Sequence, residues 1–306
     1  MIIIIIMHRI MKFGFVVLHY KTINDTIECV ESILKIDGNY QIFIIDNYSN
    51  DGTYEELCNI YSKQDKIILY SNKSNLGFAK GNNEGIKIAQ EYNCDFVVLL
   101  NNDTAIYQRD FIEKCIKNWE KSKFSIAGPR IISMVDNKDQ NPFIIPNHFI
   151  KTRRSAFKLY MLGLVKYIMV LIGIPEWWEN SNTNESITNG KESNYINSDT
   201  GDFLLCGAAL ILSPTYFEKY SKLCELTFLY EEETIIYILS RILNYRMEYN
   251  PNIVLYHKEQ SSTKFIFGKG REKKIFGYKE DFRSRKQVLK IMLHMKNNGY
   301  ISNLIK

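Results

Sequence analysis

From Lys12 onward, short apolar runs alternate with segments whose apolar residues recur every three or four positions. Phe13-Gly14-Phe15-Val16-Val17-Leu18 contains no polar residue and predicts a strand buried on both faces. A helix is expected next, capped near Asn24 or Asp25, with Ile27, Val30, Ile33 and Leu34 on one face. Ile42-Phe43-Ile44-Ile45 predicts a second strand ending on Asp46, residues 54–61 a helix, and Ile67-Ile68-Leu69 a third strand. Another helix opens between Phe78 and Asn83, and Phe96-Val97-Val98-Leu99-Leu100 gives the strongest strand signal of the chain. Apolar strands separated by helices predict a largely parallel sheet with right-handed crossovers. Ligands of such sheets bind beyond the carboxyl ends of the strands.

Residues 136–200 break the alternation. Stretches 136–147 and 179–199 are polar and rich in Asn and Ser, which predicts loops. Between them, residues 156–174 are apolar except for Lys158 and Lys166, and follow the basic cluster Lys151, Arg153, Arg154. That length is at the lower limit for crossing a bilayer, and the lysines suit a helix lying in the membrane interface. A helix packed on the domain or on a second subunit is the equal alternative. Order returns with a strand-like run over 203–212, a helix from Pro214, and a helix over 232–243. The strand Ile253-Val254-Leu255 then leads to His257, and the tail is helical from Lys279.

Composition narrows the class. With 306 residues, 45% of them hydrophobic and 24% charged, the chain can bury a substantial core and is not disordered throughout. Ile, Asn, Lys and Tyr are over-used, which biased coding explains more simply than function. A net charge of +5 is mild, and no helix-turn-helix, zinc-finger or RNA-recognition pattern accompanies it, so nucleic acid is not an expected partner. Six cysteines without a C-x-x-C pair indicate a reduced, cytoplasmic setting and no zinc site or disulfide framework. The opening Met1-Ile2-Ile3-Ile4-Ile5-Ile6-Met7 is too short to span a membrane and lacks the features of a signal peptide. Met11 is the more natural start.

Three polar motifs fall where strands end or helices begin. Asp46-Asn47-Tyr48-Ser49-Asn50-Asp51-Gly52-Thr53 places a carboxylate where it can accept from a base N–H or a ribose hydroxyl, or simply forms an Asx-type turn. Asn75-Leu76-Gly77-Phe78-Ala79-Lys80-Gly81-Asn82-Asn83-Glu84-Gly85 has glycines at spacings of four and opens a helix whose dipole favours phosphate; glycine-assisted packing is the plainer reading. It is neither a dinucleotide fingerprint nor a Walker loop. Asn101-Asn102-Asp103-Thr104 offers a carboxylate to a hard divalent cation, which takes one or two carboxylates plus phosphate oxygens. Alone, it reads as a polar turn.

In combination, the three motifs resemble the nucleotide-sugar-binding half of family-2 glycosyltransferases, most closely the rhamnosyltransferase-like group that builds bacterial surface polysaccharides. The resemblance implies a GT-A fold, a Rossmann-like mixed and mostly parallel sheet flanked by helices, with a variable insertion and C-terminal helices. It implies that Asp46 reads the base, with Asn47, Asp51, Gly77, Gly81, Asn82, Asn101 and Asn102 around the donor. Asn101-Asn102-Asp103 is similar to the family's D-x-D motif, with Asp103 as its metal-binding end. Farther on, 201–210 resembles the strand lining the acceptor. Phe228-Leu229-Tyr230-Glu231-Glu232-Glu233 resembles F-L-Y-x-E-D, whose last residue is the catalytic base. Tyr256-His257 with Ser262-Thr263 resembles a segment whose histidine approaches the metal or diphosphate. Three departures stand out: Glu232-Glu233 for Glu-Asp, Ile235 for an acidic residue, and His257-Lys258-Glu259-Gln260 for His-His-Gly-Gly.

The resemblance divides the chain into residues 1–11 (a start-site artefact or disordered), 12–135 (donor half), 136–200 (variable insertion) and 201–306 (acceptor half and C-terminal helices). It implies an inverting displacement using Mn2+ or Mg2+, with Glu233 as base and Glu232 as its runner-up. The donor would be a nucleotide-diphosphate sugar and the acceptor a saccharide or lipid-linked saccharide, at the inner face of the membrane. A sugar-phosphate nucleotidyltransferase is disfavoured, because His19-Tyr20-Lys21-Thr22 is not a Gly-rich loop with Arg and Lys. A catalytically impaired nucleotide-sugar-binding or scaffold protein is the alternative that the departures leave.

Overall fold

The structure, a computed structural model, describes residues 10–145, 150–174, 194–259 and 270–306. The opening residues up to Arg9, most of the 179–199 stretch, Gln260 and Ser262-Thr263 lie outside them.

The elements run β1 (Phe13–His19), α1 (Ile23–Ile33), β2 (Tyr40–Asp46), α2 (Thr53–Tyr61), β3 (Ile67–Ser71), α3 (Gly77–Glu91), β4 (Phe96–Asn101) and β5 (Thr104–Ala105). Next come α4 (Phe111–Ser122), β6 (Ile126–Ser133), β7 (Phe143–Ile144), α5 (Arg153–Leu171), β8 (Ile196–Asn197), β9 (Phe203–Leu204) and β10 (Ala209–Leu212). The last are α6 (Pro214–Phe217), α7 (Glu232–Leu243), β11 (Met247–His257), α8 (Arg271–Leu293) and α9 (Asn298–Asn303).

Nine strands form one mixed sheet in the order β3-β2-β1-β4-β10-β6-β11-β5, with β8 also on β11. Strands β1 to β4, β6 and β11 run one way, while β5, β8 and β10 run against them. Successive residues of each central strand point to opposite faces. Phe15, Val17, Ile42 and Val98 pack against α1, α2 and α4, and Val16, Phe43, Ile45 and Val97 against α3 and the C-terminal helices. The sheet is therefore buried on both faces, as the unbroken apolar runs require.

Three local differences from the expected pattern have identifiable causes. Thr22, not Asn24 or Asp25, stands at the cap of α1, and its hydroxyl accepts from the Asn102 amide instead of capping the helix. The 203–212 run splits into β9 and β10, because Cys206 N–H donates to Asn141 Oδ1 (3.1 Å) and Gly207 N–H to Glu233 (3.1 Å). Strand β6 is central although it contains Gly128-Pro129. Proline has no N–H for a ladder. The register of β11 shifts beside it between Asn250 and Val254, and Asn141 Nδ2 donates to the Pro129 carbonyl (2.7 Å).

Helix α5 is both packed and bare. Its Ala156, Gly163 and Val170 side is buried, Tyr160 and Tyr167 pack on Phe282 of α8, and Arg285 passes over Gly163. Its outer side exposes Phe157 (54%), Leu162 (47%), Val165 (46%) and Ile168 (45%), more than isolated surface apolar residues require.

Asn141 is fully buried and serves Pro129 and Cys206 at once. Asn141→Leu strands a buried carbonyl and a buried N–H, each costing about 1–3 kcal/mol. Urea unfolding is expected to show a loss of about 2–4 kcal/mol; a loss below about 1 kcal/mol would mean that other groups take over both bonds.

Candidate functional site

The carboxyl ends of the parallel strands gather the polar residues at one rim of the sheet. His19 pairs with Asp46, Asp46 with Ser71, Leu18 with Asn101, and His257 with both Thr104 and Ser133. Strand alternation and register alone bring residues from six distant stretches to this rim.

Asp46 is buried, and both its oxygens are engaged. Oδ1 accepts from Ser49 N (3.0 Å) and Ser49 Oγ (2.6 Å), and Oδ2 from Ser71 Oγ (2.7 Å). Asp51 is exposed and accepts from Thr53. His19, which the sequence reading gave no role, is buried beside Asp46, its ring bridging Thr26 Oγ1 (2.7 Å) and Thr53 Oγ1 (3.0 Å). Burial lowers its pKa against the opposing pull of Asp46 and Asp51. A polar residue closing an all-apolar strand was its sequence signal.

Several donor candidates turn inward. Asn47 gives its amide to Asn75 Oδ1 and the Gly77 carbonyl, and accepts from Asn72 Nδ2 and Leu76 N–H, so it shapes the 72–77 turn. Asn102 donates to Thr22 and Thr26 on α1. Gly81 lies where a Cβ would come within 2.9 Å of Leu18 Cδ1, a packing role. Asn101 closes β4 half-buried, its N–H donating to the Ala208 carbonyl. Asn82 is buried, donates to the Phe78 carbonyl, and leaves its Oδ1 without a partner among the described residues.

Gly77 joins the two halves. Its φ is +77°, and a Cβ there would stand 2.2 Å from the Phe228 carbonyl oxygen. That oxygen accepts from Phe78 N–H (3.0 Å), so the N-terminus of α3 holds the segment that leads into α7. From the other side, Ser284 Oγ donates to the Leu229 carbonyl (2.6 Å), and Arg285 pairs with Glu231 (3.4 Å).

The three glutamates then diverge. Glu231 faces Arg285, Glu232 accepts from Thr227 Oγ1 (3.3 Å), and Glu233 accepts from Gly207 N–H. Burial raises all three carboxyl pKa values. Glu232 is pushed up to about 8, first by burial and then by Glu233. The Cys206 thiol is pushed up to about 12, mainly by burial, with the charges of Glu233, Asp103 and Glu259 adding to the rise.

Asp103 and His257 are in contact. His257 Nε2 lies 3.1 Å from Asp103 Oδ1, and its Nδ1 lies 2.8 Å from Gln140 Oε1. Adjacent ligands of an octahedral cation, each about 2.1 Å from it, are separated by about 3 Å. The pair therefore fits a divalent ion that draws its other ligands from phosphate and water. Among the described residues, no third His, Cys, Asp or Glu completes a protein-only cage. Lys258, in place of a family histidine, turns away to Asp25 (3.1 Å) and Glu28 on α1. Two clefts elsewhere, of about 260 Å³ beside Asp202 and about 450 Å³ beside Arg246, include none of the candidate residues.

Residues 15–169, just over half the chain, match the family model for glycosyl transferase family 2. Among solved structures, GalNAc-T7 with UDP, GalNAc and Mn2+ aligns at a TM-score of 0.57 and 11% identity, over 83% of this chain and 45% of that one. S. aureus TarS aligns at 0.49 and 13% identity, over 81% and 37%, and TarS 1–349 in complex with UDP at 0.48 and 15%, over 95% and 74%. The chain thus spans less than half the length of the first two structures, and at these identities the likeness concerns the fold alone. No curated protein matches the sequence.

The raised pKa of Glu232 carries a signed consequence. The folded chain keeps this proton up to about pH 8, whereas the unfolded chain releases it near 4.5, the ordinary value of a free glutamate. Stability therefore falls as pH rises between those values, by up to about 1.4 kcal/mol per unit, and levels off above them. Glu232→Gln removes that slope. Its melting temperature is expected to match wild type at pH 4.5 and exceed it at pH 8; parallel curves would show that Glu232 is ionised throughout.

Proposed function

The chain belongs to glycosyl transferase family 2 and has the GT-A fold, and from that premise we propose that it moves a hexose, with rhamnose the first candidate, from a nucleotide-diphosphate sugar to a saccharide or lipid-linked saccharide in cell-surface polysaccharide synthesis. The observation that carries this reading is the contact of Asp103 with His257 at the strand rim, with Glu233 held at the start of α7 by the Gly207 N–H.

In this reading the rim between β1 and β2 takes the nucleoside. Asp46 and Asp51 address base and ribose, and Asn101 and the unpartnered Asn82 oxygen offer further polar contacts. Asn47, Gly81 and Asn102 act by fixing the backbone around them. Asp103 and His257 would hold a divalent ion, Mn2+ or Mg2+, which would supply positive charge against the departing diphosphate. UDP and Mn2+ accompany GalNAc-T7, which shares the fold. Glu233 takes the proton from the acceptor hydroxyl as that oxygen bonds to the anomeric carbon and the diphosphate leaves from the opposite face, inverting the centre. Burial raises the Glu233 pKa, and the Gly207 N–H, which fixes one of its oxygens, works against that rise toward the ionised carboxylate that a base must present. A catalytically impaired sugar-nucleotide-binding protein is the second reading, favoured by a Glu232 that keeps its proton at neutral pH.

A lipid-linked acceptor would bring the protein to a membrane surface. No helix among the described residues is long and apolar enough to cross one. The outer side of α5 suits the interface instead. It exposes a row of apolar side chains, its N-terminal end carries Lys151, Arg153, Arg154 and Lys158, and residues 150–174 contain no acidic residue.

Two experiments test this reading. Asp103→Ala is expected to abolish metal-dependent turnover with the fold intact, and Glu233→Gln to lower kcat by about 10²–10⁴ with little change in donor affinity. Turnover by Asp103→Ala equal to wild type removes the metal assignment, and a dead Glu232→Gln beside an active Glu233→Gln moves the base by one residue. For the membrane, co-sedimentation with anionic vesicles, weakened by salt and lost in Phe157→Ser/Ile168→Ser, is expected. Protein that stays in the supernatant with vesicles present would leave α5 as a packing helix only.

A further inference from the structure

We propose that Gln140, aimed by Glu259, sets the orientation and tautomer of the His257 ring and so turns its Nε2 lone pair toward a divalent cation at Asp103. The proposal deepens the metal reading given above and rests on it.

A glutamine amide has one accepting oxygen and one donating nitrogen, and its sense must be fixed by neighbours. Here Gln140 Nε2 donates to Glu259 Oε1, and a carboxylate can only accept. Oε1 of Gln140 is therefore the atom that faces His257 Nδ1 at 2.8 Å. Because that oxygen can only accept, Nδ1 carries a hydrogen, and the neutral ring has its lone pair on Nε2. Nε2 points at Asp103 Oδ1, 3.1 Å away. Lone pairs facing each other at that distance repel unless positive charge lies between them, either a proton on Nε2 or the divalent cation that takes its place. Metal-binding histidines commonly donate their other N–H to a fixed acceptor, which sets the tautomer.

Both supporting residues are tightly held. Gln140 N–H donates to the Ile131 carbonyl (2.8 Å), and the preceding Asp139 pairs with Arg130 (2.8 Å). Lys258 N–H donates to the Asp103 carbonyl (3.0 Å), and its side chain is tied to α1. Glu259 has φ +63°, in the left-handed region that favours glycine. Glycine would relieve that backbone but could not orient Gln140. The glutamate side chain points to a role for its carboxylate.

The test is titration of Mn2+, alone and with uridine diphosphate, followed by the paramagnetic resonance of free Mn2+. Gln140→Leu is expected to weaken Mn2+ binding about 10–100-fold. Glu259→Gly is expected to raise the melting temperature while weakening Mn2+, a divergence that a purely structural role would not give. The exchanged pair Gln140→Glu/Glu259→Gln restores an acceptor for Nδ1–H and a donor to hold it, and should regain most of the affinity. Unchanged Mn2+ affinity in a folded Gln140→Leu, with His257→Ala weakened, overturns this proposal alone. Unchanged affinity in His257→Ala overturns the metal reading and this proposal with it.

Discussion

One hydrogen bond holds the site together: Phe78 N–H to the Phe228 carbonyl, made across a glycine that leaves no room for a side chain. It joins the first turn of α3, within the half that matches the family, to the segment entering α7, beyond it. That approach works together with the Gly207–Glu233 bond to set the glutamates of α7 against the ends of β1, β2 and β4. The Asn47 amide, which holds the Gly77 carbonyl, extends the same constraint to the end of β2. The end of β2 and the start of α7 are thus tied by one short run of backbone.

Much of the architecture was legible in the sequence, because strands buried on both faces need unbroken apolar runs, and β1, β2 and β4 have them. The rim position of Asp46 and Asp103 was legible for the same reason, since each follows such a run. Strand β6 was not, because Gly128-Pro129 reads as a turn and only a distant register shift and Asn141 make it tolerable. Direction of side chains was equally hidden. Asn47 and Asn102 stand in motifs that suggest ligand contact, yet their amides are spent on neighbouring backbone and α1. Gln140 carried no signal at all: it reaches His257 from a polar loop 117 residues away.

The electrostatics of the rim are dominated by burial. Cys206 and the three glutamates at the start of α7 all have raised pKa values with desolvation as the first cause. A dry rim of this kind favours arriving positive charge, and makes each N–H that points into it, such as that of Gly207, more effective than in water.

The turn into α7 has a property that the chemistry alone does not require. Tyr230 and Glu231 both have positive φ, +70° and +65°, and neither is glycine. Two strained residues in succession persist only where surrounding contacts over-determine them. Here those contacts are the bonds to Phe228 and Leu229 and the ion pair of Glu231 with Arg285. Release of any one of them lets the strain work against the others. The turn into α7 would therefore open as a cooperative, all-or-none event rather than by graded loosening, with α3 and α8 as the two jaws that must let go together.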